Sequence, residues 1–213
     1  MKLTALILLS ATLLSAPAAE LETKLGKKGA VLLEEKFDGK EFPKGWTRNT
    51  GKLTVAEGAL HVSEVAADKH AAAFRRPLSL QDAAVYVKFR FEGAKLFHLG
   101  FDPAPGELKK KGHLFSVIVT PTGWNLTEHI DKDKPDSKNQ VHAKATGTFE
   151  KGRWYELLLE VKGDDVFAQI AGQEPLRATS KDFHVKKPGL VFRAGGKDAD
   201  EVLLDEVRVW ELK

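Results

Sequence analysis

The chain has 213 residues, 33 Lys and Arg against 30 Asp and Glu, a formal net charge of +3 and no cysteine. Charges of both signs are interspersed rather than gathered into one basic block, which excludes a nucleic-acid footprint. The missing cysteines exclude a disulfide framework and leave stability to a hydrophobic core.

The first nineteen residues read as an address: Lys2 is a positive start, Leu3 to Leu14 an apolar run, and Ala16-Pro17-Ala18 an A-x-A cleavage signal. That run falls short of the roughly 20 residues a membrane span requires, so no membrane insertion is expected. The reading is a signal peptide over residues 1–19, a polar flexible lead-in over 20–30 and one domain over 31–213. The protein is then expected to be exported, to the periplasm or the cell exterior.

Val31 to Phe37 reads as a first strand ending at the turn pair Asp38-Gly39. Leu53 to Val55 and Ala59 to Ser63 form a hairpin about Glu57-Gly58, and Ala71 to Arg75 is a short strand closed by Pro77. The strongest alternation follows: Val85, Val87, Phe89 and Phe91 on one face, Tyr86, Lys88, Arg90 and Glu92 on the other. It resumes with Phe97, Leu99 and Phe101 opposite His98, Gly100 and Asp102. His113 to Thr120 and Gly123 to His129 are strands joined by a Pro-Thr-Gly turn. Ile130 to Gln140 is a charged surface excursion.

Val141 to Ala145 comes next, and Arg153 to Gly172 is a hairpin turning at Gly163-Asp164-Asp165. Pro175 to Ala178, Gly189 to Ala194 and Glu201 to Leu212 complete the set. With many short strands, regular turn signals and no helical stripe, the chain reads as an all-β sandwich.

Phe37-Asp38-Gly39, Gly45-Trp46, the Val55 to Leu60 turn, Trp154 to Gly172 and Leu204 to Trp210 occur in one order. In this order they resemble the concanavalin A-like and laminin-G-like jelly-roll domains of exported bacterial proteins, a set related to the 3-keto-disaccharide hydrolase domain family. The resemblance implies a two-sheet antiparallel jelly-roll sandwich of the lectin and glucanase type. It also implies that Leu32 to Phe37 lies beside Glu206 to Leu212, and that Trp154 and Trp210 belong to the core.

Two departures bear on activity. Where the hydrolase family carries Asn-Ser-Gly on a central strand, Lys95 to Asp102 reads KLFHLGFD, and no E-x-D-x-x-E or E-x-D-x-E run occurs. Glycoside hydrolysis generally uses paired carboxylates. The expected function is therefore non-catalytic binding of carbohydrate or another envelope polymer. Two alternatives are a glycan-processing hydrolase working through His98, Asp102 and Glu128, and a structural domain of the cell envelope.

The candidate ligand-binding residues are the polar members of the alternating strands: Tyr86, Lys88, Arg90, His98, Asp102, Asn125, Thr127 and His129. Amides, cationic donors and an aromatic ring are the groups that hold sugar hydroxyls, and on one wet sheet face these eight share a groove. No metal is expected. His98 and Asp102 lie roughly 13 Å apart along a strand, and His113, His129 and His142 show no ligand spacing. Asp131, Asp133 and Asp136 suggest calcium, but the run lacks the glycine and distal glutamate of an EF-hand, and a solvated loop is the reading adopted. No G-x-S-x-G elbow, dinucleotide fingerprint or Walker motif occurs, so no cofactor is expected.

Overall fold

A computed structural model describes residues 21–197 and 200–213. The signal-peptide reading lies outside the described residues. In chain order the first strands are β1 (Lys28–Glu35), β2 (Thr47–Thr50), β3 (Lys52–Ala56), β4 (Ala59–Ser63) and β5 (Ala72–Leu80). Next come β6 (Ala83–Glu92), β7 (Leu96–Phe101), β8 (Phe115–Thr120), β9 (Gly123–Glu128) and β10 (Gln140–Thr146). The last are β11 (Trp154–Lys162), β12 (Asp165–Ile170), β13 (Leu176–Thr179), β14 (Lys187–Gly195) and β15 (Glu201–Leu212).

Two antiparallel sheets result. The first has the order β13-β12-β11-β6-β15-β4-β3, with β1 also pairing β15, and the second runs β10-β9-β8-β7-β14-β5-β2. The terminal strands meet as the resemblance implies: Leu33 pairs with Val209 and Glu35 with Val207.

The alternation read along β6 and β7 sets the core. Val85, Val87, Phe89 and Phe91 of the first sheet face Phe97, Leu99 and Phe101 of the second, and all are almost fully buried. Phe89 and Phe97 stack across the sandwich at 4.8 Å between ring centroids, an offset geometry that adds to area burial. Trp46 and Trp124 also belong to this core.

Three expectations need correction, and one strand was not expected at all. Trp154 points outward from the first sheet, under the Arg90 guanidinium at 4.7 Å, whereas Trp210 is buried as expected, in a second small core cluster with Ala84, Tyr86, Leu158 and Leu212. From residue 21 the lead-in is held down, because Leu21 and Leu25 cover that cluster and the backbone N–H groups of Lys24 and Leu25 donate to the buried Glu160 carboxylate. A carboxylate with no exposure requires such donors, and this segment supplies them. Strand β5 does not stop at Pro77 but runs through it, since Pro77 faces Gly189 at a register shift where a ladder donor is dispensable. Strand β2 carries no alternation and went unread; it is a short edge pairing with β5.

Candidate functional site

Strand order separates the eight predicted residues. Tyr86, Lys88 and Arg90 lie on β6 in the first sheet, whereas His98, Asp102, Asn125, Thr127 and His129 belong to or directly follow β7 and β9 in the second. The two groups face away from each other on opposite sides of the sandwich, so they do not form one groove.

The charges on the outer face of the first sheet are paired with one another. Lys88 pairs with Asp205, Arg90 with Glu92 at 2.9 Å and Arg208 with Glu206 at 3.1 Å. Arg208 also covers the Tyr86 ring at 4.7 Å. Burial, then the nearby Glu156 and Glu206, push the Tyr86 phenol far above its ordinary range, so it stays protonated.

The outer face of the second sheet is different. Cross-strand register aligns Arg75, Val191, Gly100, Ser116 and Thr127 in one row across β5, β14, β7, β8 and β9. Four inter-strand spacings of about 4.8 Å make the row about 19 Å long. Between Arg75 and its far end every side chain is small, and Ser116 and Thr127 are 6% and 3% exposed. Gly100 keeps the floor low: a Cβ there would lie 2.2 Å from Ser116 Oγ and 2.5 Å from the Phe115 carbonyl oxygen. A glycine inside a strand commonly marks such a close approach.

Taller side chains flank this row. On one side the next row holds Arg193, His98, Ile118 and Asn125 in register. On the other side Asp102 accepts from Arg75 Nη2 at 3.0 Å and from His113 Nδ1 at 2.5 Å. The His113 ring meets His129 edge-on at 5.5 Å, and His129 Nε2 is 2.9 Å from Ser116 Oγ. A strip of small side chains flanked by polar groups therefore crosses the strands, its floor largely covered by those flanking side chains. Openings lie at both ends: one of about 260 Å³ lined by Arg75, Asp102 and Val191 among others, and one of about 390 Å³ lined by His129, Glu128 and lysines of the 108–140 loops.

The electrostatics follow from partial burial. Burial, then Arg193, His129 and His113, lower His98 to about 3, and burial, then His113 and Arg193, lower His129 to about 4. Both rings are neutral near pH 7, so each offers one N–H donor and one acceptor nitrogen. With His129 Nε2 as the acceptor, Ser116 donates the hydrogen bond. Burial alone would raise Asp102, but the hydrogen bonds from His113 and Arg75 outweigh it and keep the carboxylate ionised. Glu128 is held ionised in the same way by His142 and Lys110.

The arrangement suits recognition by many polar contacts. Ser116 with His129 and His113 with Asp102 resemble parts of a nucleophilic relay, brought together by strand pairing rather than by any sequence motif. Yet Ser116 lies within β8, paired on both sides by β7 and β9, where the neighbouring backbone N–H groups belong to the ladder and cannot stabilise an oxyanion. In the acidic loop, Asp131 accepts from the backbone of Lys111 and Asp133 and pairs with Lys134. Among the described residues no three His, Asp or Glu side chains are grouped as metal ligands.

Arg75, Gly100, Ser116, His113 and Arg193 were not among the predicted site residues. Arg193 and Val191 alternate with core residues on β14 in the sequence, and Gly100 interrupts an otherwise bulky strand. Those two signals marked the face but not its partners.

The architecture is that of a concanavalin A-like jelly roll. No protein-family model matches the chain, and no curated protein matches it. Solved structures do. The laminarinase from Rhodothermus marinus superposes with a TM-score of 0.67 at 9% identity, covering 89% of this chain and 100% of that one. A protein of unknown function with a galectin-like fold from Bacillus subtilis gives 0.65 at 17% identity, covering 88% and 98%. The carbohydrate-binding module CBM66 from the same organism gives 0.62 at 12% identity, covering 78% and 96%. At these identities the likeness establishes the fold.

Proposed function

We propose that this is an exported, non-catalytic carbohydrate-binding domain whose ligand lies across the strands of the second sheet, in the channel floored by Val191, Gly100, Ser116 and Thr127. What supports the reading is this strip: small side chains in register over about 19 Å, between rows of neutral histidines, an amide and cationic donors, with a cavity at each end. Sugar binding uses such fixed polar groups on a shaped, largely preformed surface. Neighbours of the same fold include a carbohydrate-binding module and a laminarinase, which adds support.

The carboxylates favour binding over cleavage. A glycosidase acid must carry a proton near neutral pH, whereas Asp102 and Glu128 are both held below the usual carboxylate range by cationic and histidine partners. Glu128 also belongs to a separate knot with Lys110 and His142, at 3.3 and 2.9 Å, which weakens the alternative of a hydrolase using His98, Asp102 and Glu128.

Calorimetric titration with a panel of oligosaccharides, run beside an assay for released product on the same panel and on 3-keto-glycosides, tests this. Binding without product release is expected, and Gly100→Val abolishes it. Product release, or binding that ignores Gly100→Val, overturns the reading.

A further inference from the structure

The arginines on the outer faces of the two sheets differ in how they are paired. On the outer face of the first sheet each arginine has its carboxylate, Arg90 with Glu92 and Arg208 with Glu206. Arg193 does not: it sits half-buried on the central strand β14, and among the described residues it has no carboxylate partner. Its one side-chain hydrogen bond is to His70 Nε2 at 3.2 Å. The carboxylate on the same face, Asp102, already accepts from Arg75 and His113. A guanidinium withdrawn from water without a counter-ion is costly, and its planar fork matches oxyanions.

Beside it stands a second unmatched group. His98 is the direct cross-strand neighbour of Arg193, and its Nδ1 is buried with no hydrogen-bond partner. Directly opposed side chains of a β pair have Cβ atoms about 5 Å apart; with Nδ1 buried, the ring's other nitrogen, Nε2, is the one that can donate to an oxyanion shared with Arg193. Further along, the opening beyond His129 is lined by four lysines, Lys109, Lys110, Lys134 and Lys138, against three carboxylates, Glu128, Asp131 and Asp182.

We propose that the glycan taken by this channel is acidic, and that Arg193 and His98 together receive the anionic substituent of one sugar, a carboxylate or a sulfate ester. The proposal rests on the carbohydrate-binding reading above and specifies its ligand. The guanidinium donates two parallel hydrogen bonds to the oxyanion and the imidazole N–H a third. Asp102 does not repel the ligand, because the Arg75 guanidinium is paired with it and His113 donates to it.

The test is titration with three oligosaccharides of equal length: an oligogalacturonide, a sulfated galactan and a neutral glucan. The expected result is that one acidic probe binds about tenfold or more tightly than the neutral one, with affinity falling as salt is raised. Which acidic probe wins identifies the substituent. Arg193→Gln removes that preference while any neutral binding persists, and His98→Gln reduces it; unchanged thermal melting of both variants shows that the loss is local. Equal binding of neutral and acidic probes, or a preference that survives Arg193→Gln, overturns this inference and leaves the channel reading in place. Failure of all three probes overturns both.

Discussion

Lowering the pH should destabilise this protein through the two histidines of the channel, well above the range where carboxylates titrate. His98 and His129 have folded-state values of about 3 and about 4, against about 6.5 in the unfolded chain. Between those limits the unfolded state binds protons that the folded state refuses, so stability falls as pH drops below about 6.5. From about pH 7.5 to about pH 5 each ring contributes a loss of about 2 kcal/mol. Because the two rings repel each other when charged, about 4 kcal/mol is the ceiling for the pair. Urea unfolding of the wild type and of a His98→Gln, His129→Gln variant at both pH values measures it. The variant should lose less stability than the wild type over this interval, by about 2 to 4 kcal/mol. Equal losses would refute the burial argument and with it the neutral state assigned to the channel walls.

Three further outcomes are expected. Gly100→Ala forces a Cβ to within 2.5 Å of the Phe115 carbonyl oxygen, which cannot swing aside, so thermal melting should show a loss of about 1 to 3 kcal/mol. Deleting residues 21–26 strips Leu21 and Leu25 from Tyr86, Leu158 and Trp210 and leaves Glu160 without its two donors; calorimetry should record a loss of at least about 3 kcal/mol. Lys187 is 1% exposed and donates to the carbonyls of Gln81, Phe183 and Val185 at 3.0, 2.8 and 2.7 Å. Lys187→Met leaves those oxygens unpaired, and denaturant unfolding should show a loss of about 2 to 4 kcal/mol.

The inward and outward sides of β6, β7 and β9 were legible because period-two alternation is a local property of a strand with one buried face. Which strands lie side by side is not local. Strand β6 is flanked by β11 and β15, far along the chain, while β7 lies beside β14 and β8 in the other sheet. That non-local pairing put Tyr86, Lys88 and Arg90 on the opposite side from His98 and His129, and it brought Arg75 and Arg193 into a site that no motif connects. The outward position of Trp154 was available from its alternation with the buried Tyr155, but the family expectation pointed the other way. In the lead-in only Leu21 and Leu25 hinted at docking, and two apolar residues in a polar stretch are too few to show it without the surface they cover.

The central claim is that ligand lies on the second sheet, across the Val191, Gly100, Ser116 and Thr127 row. Backbone amide shifts recorded during titration with the oligosaccharide that binds most tightly test it directly. Changes are expected to concentrate at those four residues and at His98, His129 and Arg193, with Tyr86, Lys88 and Arg90 unmoved. Changes centred on Tyr86, Lys88 and Arg90, with the channel silent, would contradict it.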